Sequence, residues 1–250
     1  ILTWRIPMTR RHLLPLFTLL FVFAPLTRLI AEEKKSHSAV NPVPRDDRWK
    51  KRHDLINERV KAMPDAKLVF IGDSITQGWE GNGREVWEKY YTPRKTLNLG
   101  IGGDRTQHVL WRLENGNLEG IKPKAAVIMI GTNNSNRQDN TAEEIADGIT
   151  AIVHKLRKAT PDTKILLLAV FPRGEKPNDQ REKIAAVNKT VSKLDDGEHV
   201  FYLDIGANLM NPDGTITKDV MPDFLHLSKK GYEIWAQSIE AKLKGLLGEK

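Results

Sequence analysis

Short apolar runs alternate along the chain with longer segments in which apolar residues recur at helical spacing. Five runs have the length and composition of strands, at residues 68–71, 96–99, 125–130, 164–170 and 199–203. Helical periodicity is found at residues 46–63, 84–91, from 106 onward, 142–158, 179–194 and from 228 onward. The apolar runs are nearly continuous, which is typical of parallel strands covered on both faces.

The alternation of strands and helices predicts an α/β domain with a five-stranded parallel sheet. We expect a flavodoxin-like winding, in which helices on both faces complete a three-layer α/β/α sandwich. The pattern contains no internal repeat and no second domain. Residues 45–250 are therefore expected to fold as one domain.

The N-terminal region follows a different pattern, which is typical of protein export. After Met8, a short basic stretch precedes the apolar run 13–26, and Ala31 comes directly before the first acid. This order predicts an export signal over residues 1–31, with residues 1–7 expected to lie before the true start.

The apolar run is shorter than the roughly 20 residues that cross a bilayer, and Pro15 and Pro25 bracket it. We therefore expect a periplasmic or secreted protein without a stable membrane span in its mature form. The alternative is a membrane anchor made by an uncleaved N-terminal segment. Residues 32–44 are polar and contain proline, which predicts a flexible linker.

Net charge and cysteine content exclude several classes of function. The chain carries a net charge of +7, with 39 basic and 32 acidic residues. Residues 1–31 hold four of the arginines and no acid, so the remainder carries 35 − 32 = +3 and no basic run interleaved with aromatics. Nucleic-acid binding is not expected. The absence of cysteine excludes a cysteine nucleophile, thiolate metal sites and disulfides.

Polar or glycine-rich turns follow three of the predicted strands. They are Gly-Asp-Ser at 72–74, Gly-Ile-Gly-Gly-Asp at 100–104 and Gly-Thr-Asn-Asn at 131–134. The carboxyl ends of parallel strands share one edge of the sheet, so we expect these turns to converge. A fourth segment, 223–226, precedes the last predicted helix.

The serine of the first turn, Ser74, becomes a nucleophile only when a base takes its proton. His226 is the candidate base, because histidine titrates nearest to neutral pH. Asp223 can hold the other ring nitrogen and stabilise the imidazolium. Ser, Asp, His is one of the known chain orders of such a triad. The structural alternative for the first turn is that Asp73 and Ser74 merely cap a helix.

A developing oxyanion needs donors that are fixed before the reaction. The candidates are the backbone N–H groups of Ser74 and Gly103 and the side-chain amide of Asn133. Each of these residues, like His226 and Asp223, also has a structural alternative as a turn former, a cap or a hydrogen-bonded loop residue. Their joint occurrence at the predicted strand ends favours the catalytic interpretation.

Four blocks carry a resemblance to a known superfamily: Gly72-Asp73-Ser74, Gly103, Asn133 and Asp223-x-x-His226. In order and spacing they resemble the blocks of the SGNH (GDSL-like) hydrolases. More narrowly, the sequence resembles the catalytic subunits of intracellular platelet-activating-factor acetylhydrolases and their bacterial relatives. The stretches that carry this narrower resemblance are NLGIGGD at 98–104, HVLWRL at 108–113, FPRGEKPN at 171–178 and DFLHL at 223–227.

The resemblance implies the SGNH hydrolase fold, no metal, no cofactor, and hydrolysis of short acyl esters, particularly acetyl esters. It implies that Ser74 is the nucleophile, His226 the base and Asp223 its partner. It also implies an oxyanion hole formed by Ser74, Gly103 and Asn133. The intracellular subunits lack the predicted export segment. The resemblance therefore leaves open whether the substrate is a lipid ester or a carbohydrate ester.

Two alternatives keep the fold and change the function. One is an extracytoplasmic carbohydrate O-acetylesterase or O-acyltransferase, and the other is a non-catalytic module that binds carbohydrate or lipid. Ile75, Leu225 and Leu227 flank the candidate triad and are expected to narrow an acyl pocket. Arg105 and Arg173 lie in strand-end loops and are interpreted as solvated charges. The oligomeric state is open, a homodimer included.

Overall fold

The computed structural model describes residues 1–4, 36–136 and 139–249. Within them, five parallel strands form a single sheet: β1 (Leu68–Gly72), β2 (Thr96–Gly100), β3 (Ala125–Met129), β4 (Lys164–Leu168) and β5 (Val200–Leu203). Seven α-helices accompany it: α1 (Asp47–Ala62), α2 (Ser74–Gln77), α3 (Arg84–Tyr90), α4 (Thr106–Glu114), α5 (Ala142–Ala159), α6 (Asp179–Val191) and α7 (Lys229–Leu247). Short 3-10 helices occur at Ser38–Val40, Gly78–Glu80, Thr92–Arg94, Ser192–Leu194 and Gly206–Leu209.

The strand order is β2-β1-β3-β4-β5, which is the flavodoxin-like order that the sequence predicts. All neighbouring strands pair in parallel. The fold prediction is therefore confirmed, including its class and the number of strands. In this order β1 lies between β2 and β3, so the ends of β2 and β3 lie on either side of the turn that carries Ser74.

Alternate residues of β1 point into two separate cores, because successive side chains of a strand face opposite sides of the sheet. Val69 and Ile71 join the core formed with α1, α4, α5 and α6. Leu68 and Phe70 join the core formed with α2, α3 and α7, which is rich in tryptophan and tyrosine. The sheet is thus covered on both faces, as the continuous apolar runs indicate.

One residue of the predicted linker, Ala39, is packed against the domain. Ala39 is 0% exposed, and its carbonyl accepts a hydrogen bond from Thr106 Oγ1 at 2.7 Å. Gly148 on α5 permits this approach, because a Cβ there would lie 2.7 Å from the Ala39 carbonyl oxygen. Ala39 therefore fits over a glycine of α5, and a flexible linker over residues 32–44 stays a prediction.

Most of the predicted export signal and the first part of the linker fall within residues 5–35, which lie outside the described residues. The described helices include none that combines the length and the apolar character needed to cross a bilayer.

Candidate active site

Ser74 is placed by the sharp turn between β1 and α2. The Asp73 carboxylate accepts a hydrogen bond from the Ile75 backbone N–H at 2.9 Å, which caps the helix that Ser74 begins. From the other side, the Tyr232 hydroxyl of α7 donates to the Ile75 carbonyl at 2.7 Å. Both backbone groups of Ile75, the residue that follows Ser74, are therefore held by buried side chains.

His226 and Asp223 lie beside Ser74 although they are about 150 residues later in the chain. His226 Nε2 is 2.9 Å from Ser74 Oγ, and His226 Nδ1 is 2.7 Å from Asp223 Oδ2. With Nδ1–H donating to the carboxylate, Nε2 is the acceptor for the serine proton. These distances lie within hydrogen-bond reach, so the three predicted triad residues are brought together in the required order.

The loop that carries His226 folds around the Asp223 carboxylate. Asp223 Oδ1 accepts hydrogen bonds from the backbone N–H groups of His226 at 2.7 Å and Leu225 at 3.1 Å. Partial burial acts to raise the pKa of Asp223, but these bonds and the one from the His226 ring outweigh it and lower the pKa below its usual value. Asp223 is thus held as a carboxylate that can stabilise an imidazolium.

Phe224, between Asp223 and His226, has a φ of 59°, in the left-handed region that costs a residue with a side chain about 1–2 kcal/mol. Its carbonyl accepts a hydrogen bond from the Gly174 N–H at 2.8 Å, in the loop that follows β4. The loop of His226 is therefore held from outside by the loop that follows β4.

The loop of Gly103, a predicted oxyanion donor, contacts both α2 and Asn133. Gly102 N–H donates to Gln77 Oε1 at 2.7 Å, which ties the loop after β2 to α2. Gly103 has a φ of 76°, and its N–H donates to none of the described residues. Asn133 Nδ2 donates to the Asp104 carbonyl at 2.9 Å, and its amide carries a second hydrogen.

A buried ion pair supports the loop that contains Gly103. Asp104 accepts hydrogen bonds from Arg112 Nε at 2.8 Å and from Trp49 Nε1 at 2.6 Å. Arg112 also donates to the carbonyls of Leu99 at 2.7 Å and Gly72 at 3.2 Å. Both charged side chains are 0% exposed. One arginine thus joins the ends of β1 and β2, from which the candidate nucleophile and oxyanion donor project.

Asp73 is buried behind Ser74, and its Oδ2 atom has no hydrogen-bond partner among the described residues. Burial raises its pKa to about 7, and the nearby Asp104 adds to this effect. Asp73 therefore shapes the turn and is not in position to orient His226, whose Nδ1 faces Asp223.

The three residues predicted to narrow an acyl pocket occupy different environments. Ile75 and Leu227 are 1% and 0% exposed and belong to the core on the α7 side of the sheet. Leu225 is half-buried. A role in acyl recognition stays a prediction for all three, and Leu225 is the one with accessible surface.

Sequence reasoning missed two features of the site. The Asp104–Arg112 ion pair lies within quoted motifs, but the third partner, Trp49, comes from α1, 55 residues earlier. The position of Arg173 beside Thr132 is also a tertiary contact. No spacing in the sequence indicates either. In the described residues, no group of three or more His, Cys, Asp or Glu side chains is arranged to hold a metal ion.

Comparison with known proteins gives consistent matches. The model of the GDSL-like lipase/acylhydrolase family matches residues 70–234. The chain is 42% identical over 213 residues to the platelet-activating factor acetylhydrolase IB subunit alpha2 of Rattus norvegicus, covering 84% of this chain and 90% of that protein.

Two solved structures share the fold. A GDSL-like lipase from Bacteroides thetaiotaomicron has a TM-score of 0.64 at 20% identity and covers 78% of this chain and 97% of its own. A variant of an acetylxylan esterase from Geobacillus stearothermophilus has a TM-score of 0.57 at 20% identity, covering 74% of this chain and 95% of its own.

Proposed function

Because the chain belongs to the GDSL-like lipase/acylhydrolase family and is thus a carboxylic ester hydrolase, we propose that it acts through a Ser74, His226, Asp223 triad. The observation that carries the proposal is the continuous contact from Ser74 Oγ through the imidazole to Asp223, at 2.9 and 2.7 Å.

In the proposed mechanism, Ser74 Oγ attacks the ester carbonyl carbon while His226 Nε2 takes the hydroxyl proton. The resulting oxyanion accepts hydrogen bonds from the N–H groups of Ser74 and Gly103 and from the Asn133 amide. Collapse expels the alcohol, which receives the proton from His226 and leaves Ser74 acylated. Water, deprotonated by the same imidazole, then releases the acid and restores Ser74.

We propose acetyl as the preferred acyl group. The rat relative, at 42% identity, is named as an acetylhydrolase subunit. Leu225, which directly precedes His226 in the chain and is half-buried, is the residue that we propose limits the length of the acyl group. Rates across aryl esters from acetate to longer acyl chains are expected to fall steadily with chain length.

A second candidate is deacetylation of, or acyl transfer to, an exported carbohydrate. The basic and apolar pattern of residues 1–31 favours it, because export would bring the enzyme to polysaccharides. A reporter enzyme that is active only outside the cytoplasm, fused after residue 44, tests the export. Product analysis with acetylated xylan and with added glycan acceptors separates hydrolysis from transfer.

The catalytic proposal is tested by p-nitrophenyl acetate turnover. Ser74→Ala is expected to lower kcat/KM by at least about 10³-fold, because the acyl-enzyme route is lost. Ser192→Ala is a matched control, since Ser192 Oγ only donates to the Lys189 carbonyl. Equal turnover by the wild type and Ser74→Ala would contradict the proposal, as would a comparable loss in Ser192→Ala.

A further inference from the structure

Arg173 lies in the loop after β4 and is half-buried at the edge of the candidate active site. Its Nη1 atom donates to Thr132 Oγ1 at 3.2 Å and to the Thr132 carbonyl at 3.3 Å. Thr132 directly precedes Asn133, a proposed oxyanion donor. The guanidinium is therefore held beside Thr132, on the side of the proposed oxyanion donors. The sequence instead predicts a solvated charge at Arg173.

The backbone of Arg173 is held from the opposite direction. Arg181 Nε on α6 donates to the Arg173 carbonyl at 2.8 Å, and the next residue, Gly174, donates to the Phe224 carbonyl at 2.8 Å. Phe224 lies between Asp223 and His226. Arg173 thus sits where the loop of the base meets the loop of the oxyanion donor, with its position fixed on both sides.

No carboxylate of the described residues lies within salt-bridge distance of Arg173. Its Nε and Nη2 atoms donate to none of the described residues. Arg105, on the same edge of the sheet, is paired with Asp139 at 2.7 Å. A half-buried cation without a counter-ion carries an uncompensated desolvation cost, which a bound anion would offset.

Two carboxylates act on the positive charge of Arg173 without neutralising it. Asp73 and Asp223 both act on the Arg173 guanidinium, but only as charges beyond contact distance. Burial raises the pKa of Asp73 to about 7, so it is partly neutral near that pH. Asp223 is already engaged by the His226 ring.

We propose that Arg173 is a specificity-determining residue that binds a negatively charged group, a carboxylate or a phosphate, on the alcohol side of the ester. The inference rests on the proposed function, because an acetyl group carries no charge and the anion must then belong to the alcohol. Carboxylate and phosphate share the oxyanion geometry that a guanidinium fork recognises.

The test compares kcat/KM for 4-acetoxybenzoate and 4-acetoxyphenyl phosphate with that for the neutral 4-acetoxybenzamide. The wild type is expected to prefer at least one anionic ester. Arg173→Gln is expected to lower kcat/KM for that ester by about 10- to 100-fold, as for one charge-assisted hydrogen bond, and for the amide by less than about threefold. The larger of the two anionic effects identifies a carboxylate or a phosphate as the recognised group.

Two further variants separate charge recognition from structure. Arg173→Lys keeps the charge without the fork and is expected to retain an intermediate preference. Arg105→Gln removes a paired arginine and is expected to leave the preference unchanged. An equal loss on charged and neutral esters in Arg173→Gln would assign the residue a structural role and overturn the inference, as would a wild type without preference.

Failure of the proposed function can be told apart from failure of this inference. If the wild type hydrolyses neither p-nitrophenyl acetate nor any of the three esters, the proposed function fails. Calorimetric binding of 4-hydroxybenzoate and 4-hydroxyphenyl phosphate to the wild type and Arg173→Gln then decides on Arg173. Binding of either anion that is lost in the variant supports the inference, and equal or absent binding overturns it.

Discussion

Ser74 and Gly103 are supported by a buried ion pair, whereas His226 and Asp223 lie on a loop that remains largely accessible. On the first side, Arg112 and Asp104 are 0% exposed and join two strand ends. On the second, the side chains of His226 and Asp223 are 44% and 56% exposed. We therefore expect the contacts behind Ser74 and Gly103 to stabilise the fold as well as the site. The contacts of His226 and Asp223 are expected to stabilise the site alone.

The largest separation of activity from stability is expected for His226→Ala. Loss of the proposed base should lower kcat/KM for p-nitrophenyl acetate by at least about 10³-fold. The free energy of unfolding should change by less than about 1 kcal/mol, because an exposed side chain is removed. Exposed His154 on α5 provides the control, and His154→Ala should keep full activity. Unfolding of His226→Ala would show that the loop supports the fold.

On the buried side, Arg112→Leu should lower the free energy of unfolding by about 3–5 kcal/mol, because Asp104 is left buried without its partner. Urea denaturation measures the change. Arg84→Leu is the matched control, since Arg84 is 72% exposed and its pairing with Glu88 should contribute less than about 0.5 kcal/mol. Similar losses in both variants would contradict the structural role of the buried pair.

Asp73 should make the stability of the buried side depend on pH. Its pKa is raised to about 7 by burial, so folding favours its protonated form. The stability that it contributes is complete below its ordinary pKa near 3.8 and is lost as the pH rises through about 7.

Asp73→Asn removes this titration and keeps an oxygen for the Ile75 N–H. Its free energy of unfolding relative to the wild type should rise by about 2–4 kcal/mol between pH 4 and pH 8. Denaturant titrations across that range measure the difference between the two proteins. A difference that does not vary with pH would mean that Asp73 titrates as an ordinary exposed acid.

The smallest of these effects is expected for Gly103→Ala. A Cβ there would lie 2.9 Å from Arg45 Nη1, in a residue with a φ of 76°. We expect a loss of about 1 kcal/mol in stability and about tenfold in kcat, because the donor N–H is displaced. Gly197→Ala has a similar φ of 67° with open space around it, and it should lose the stability alone. A kcat of Gly103→Ala equal to that of Gly197→Ala would contradict a role of Gly103 as an oxyanion donor.

The sequence predicts most of the fold because its periodic signals are long. Strand β1 is expected at residues 68–71 and found at Leu68–Gly72, and α1 is expected at 46–63 and found at Asp47–Ala62. The contact of Ala39 with α5 is not indicated by the polar composition of residues 32–44. It depends on the glycine at position 148 of α5, which is more than 100 residues away.

The sequence predicts the part of the candidate site that is formed by converging strand ends. The turns that carry Ser74, Gly103 and Asn133 share one edge because the carboxyl ends of parallel strands do, and that rule needs only the order of elements. Asp223 and His226 precede α7 and do not directly follow a strand, so the chemistry of a triad indicates them and the strand order does not.

The contacts of Arg173 and Trp49 depend on where the ends of these long side chains lie in the folded protein, which the order of elements does not determine. The same holds for Ile75, whose position beside Ser74 in sequence does not reveal that its side chain enters the core.

The central claim is that Ser74 is a nucleophile activated by His226, and covalent labelling tests it most directly. A fluorophosphonate should add one equivalent to the wild type, and peptide mass mapping should locate it on Ser74. Labelling should be absent in Ser74→Ala and strongly slowed in His226→Ala. Stoichiometric modification of another residue, or no modification of an enzyme that hydrolyses acetyl esters, would contradict the account.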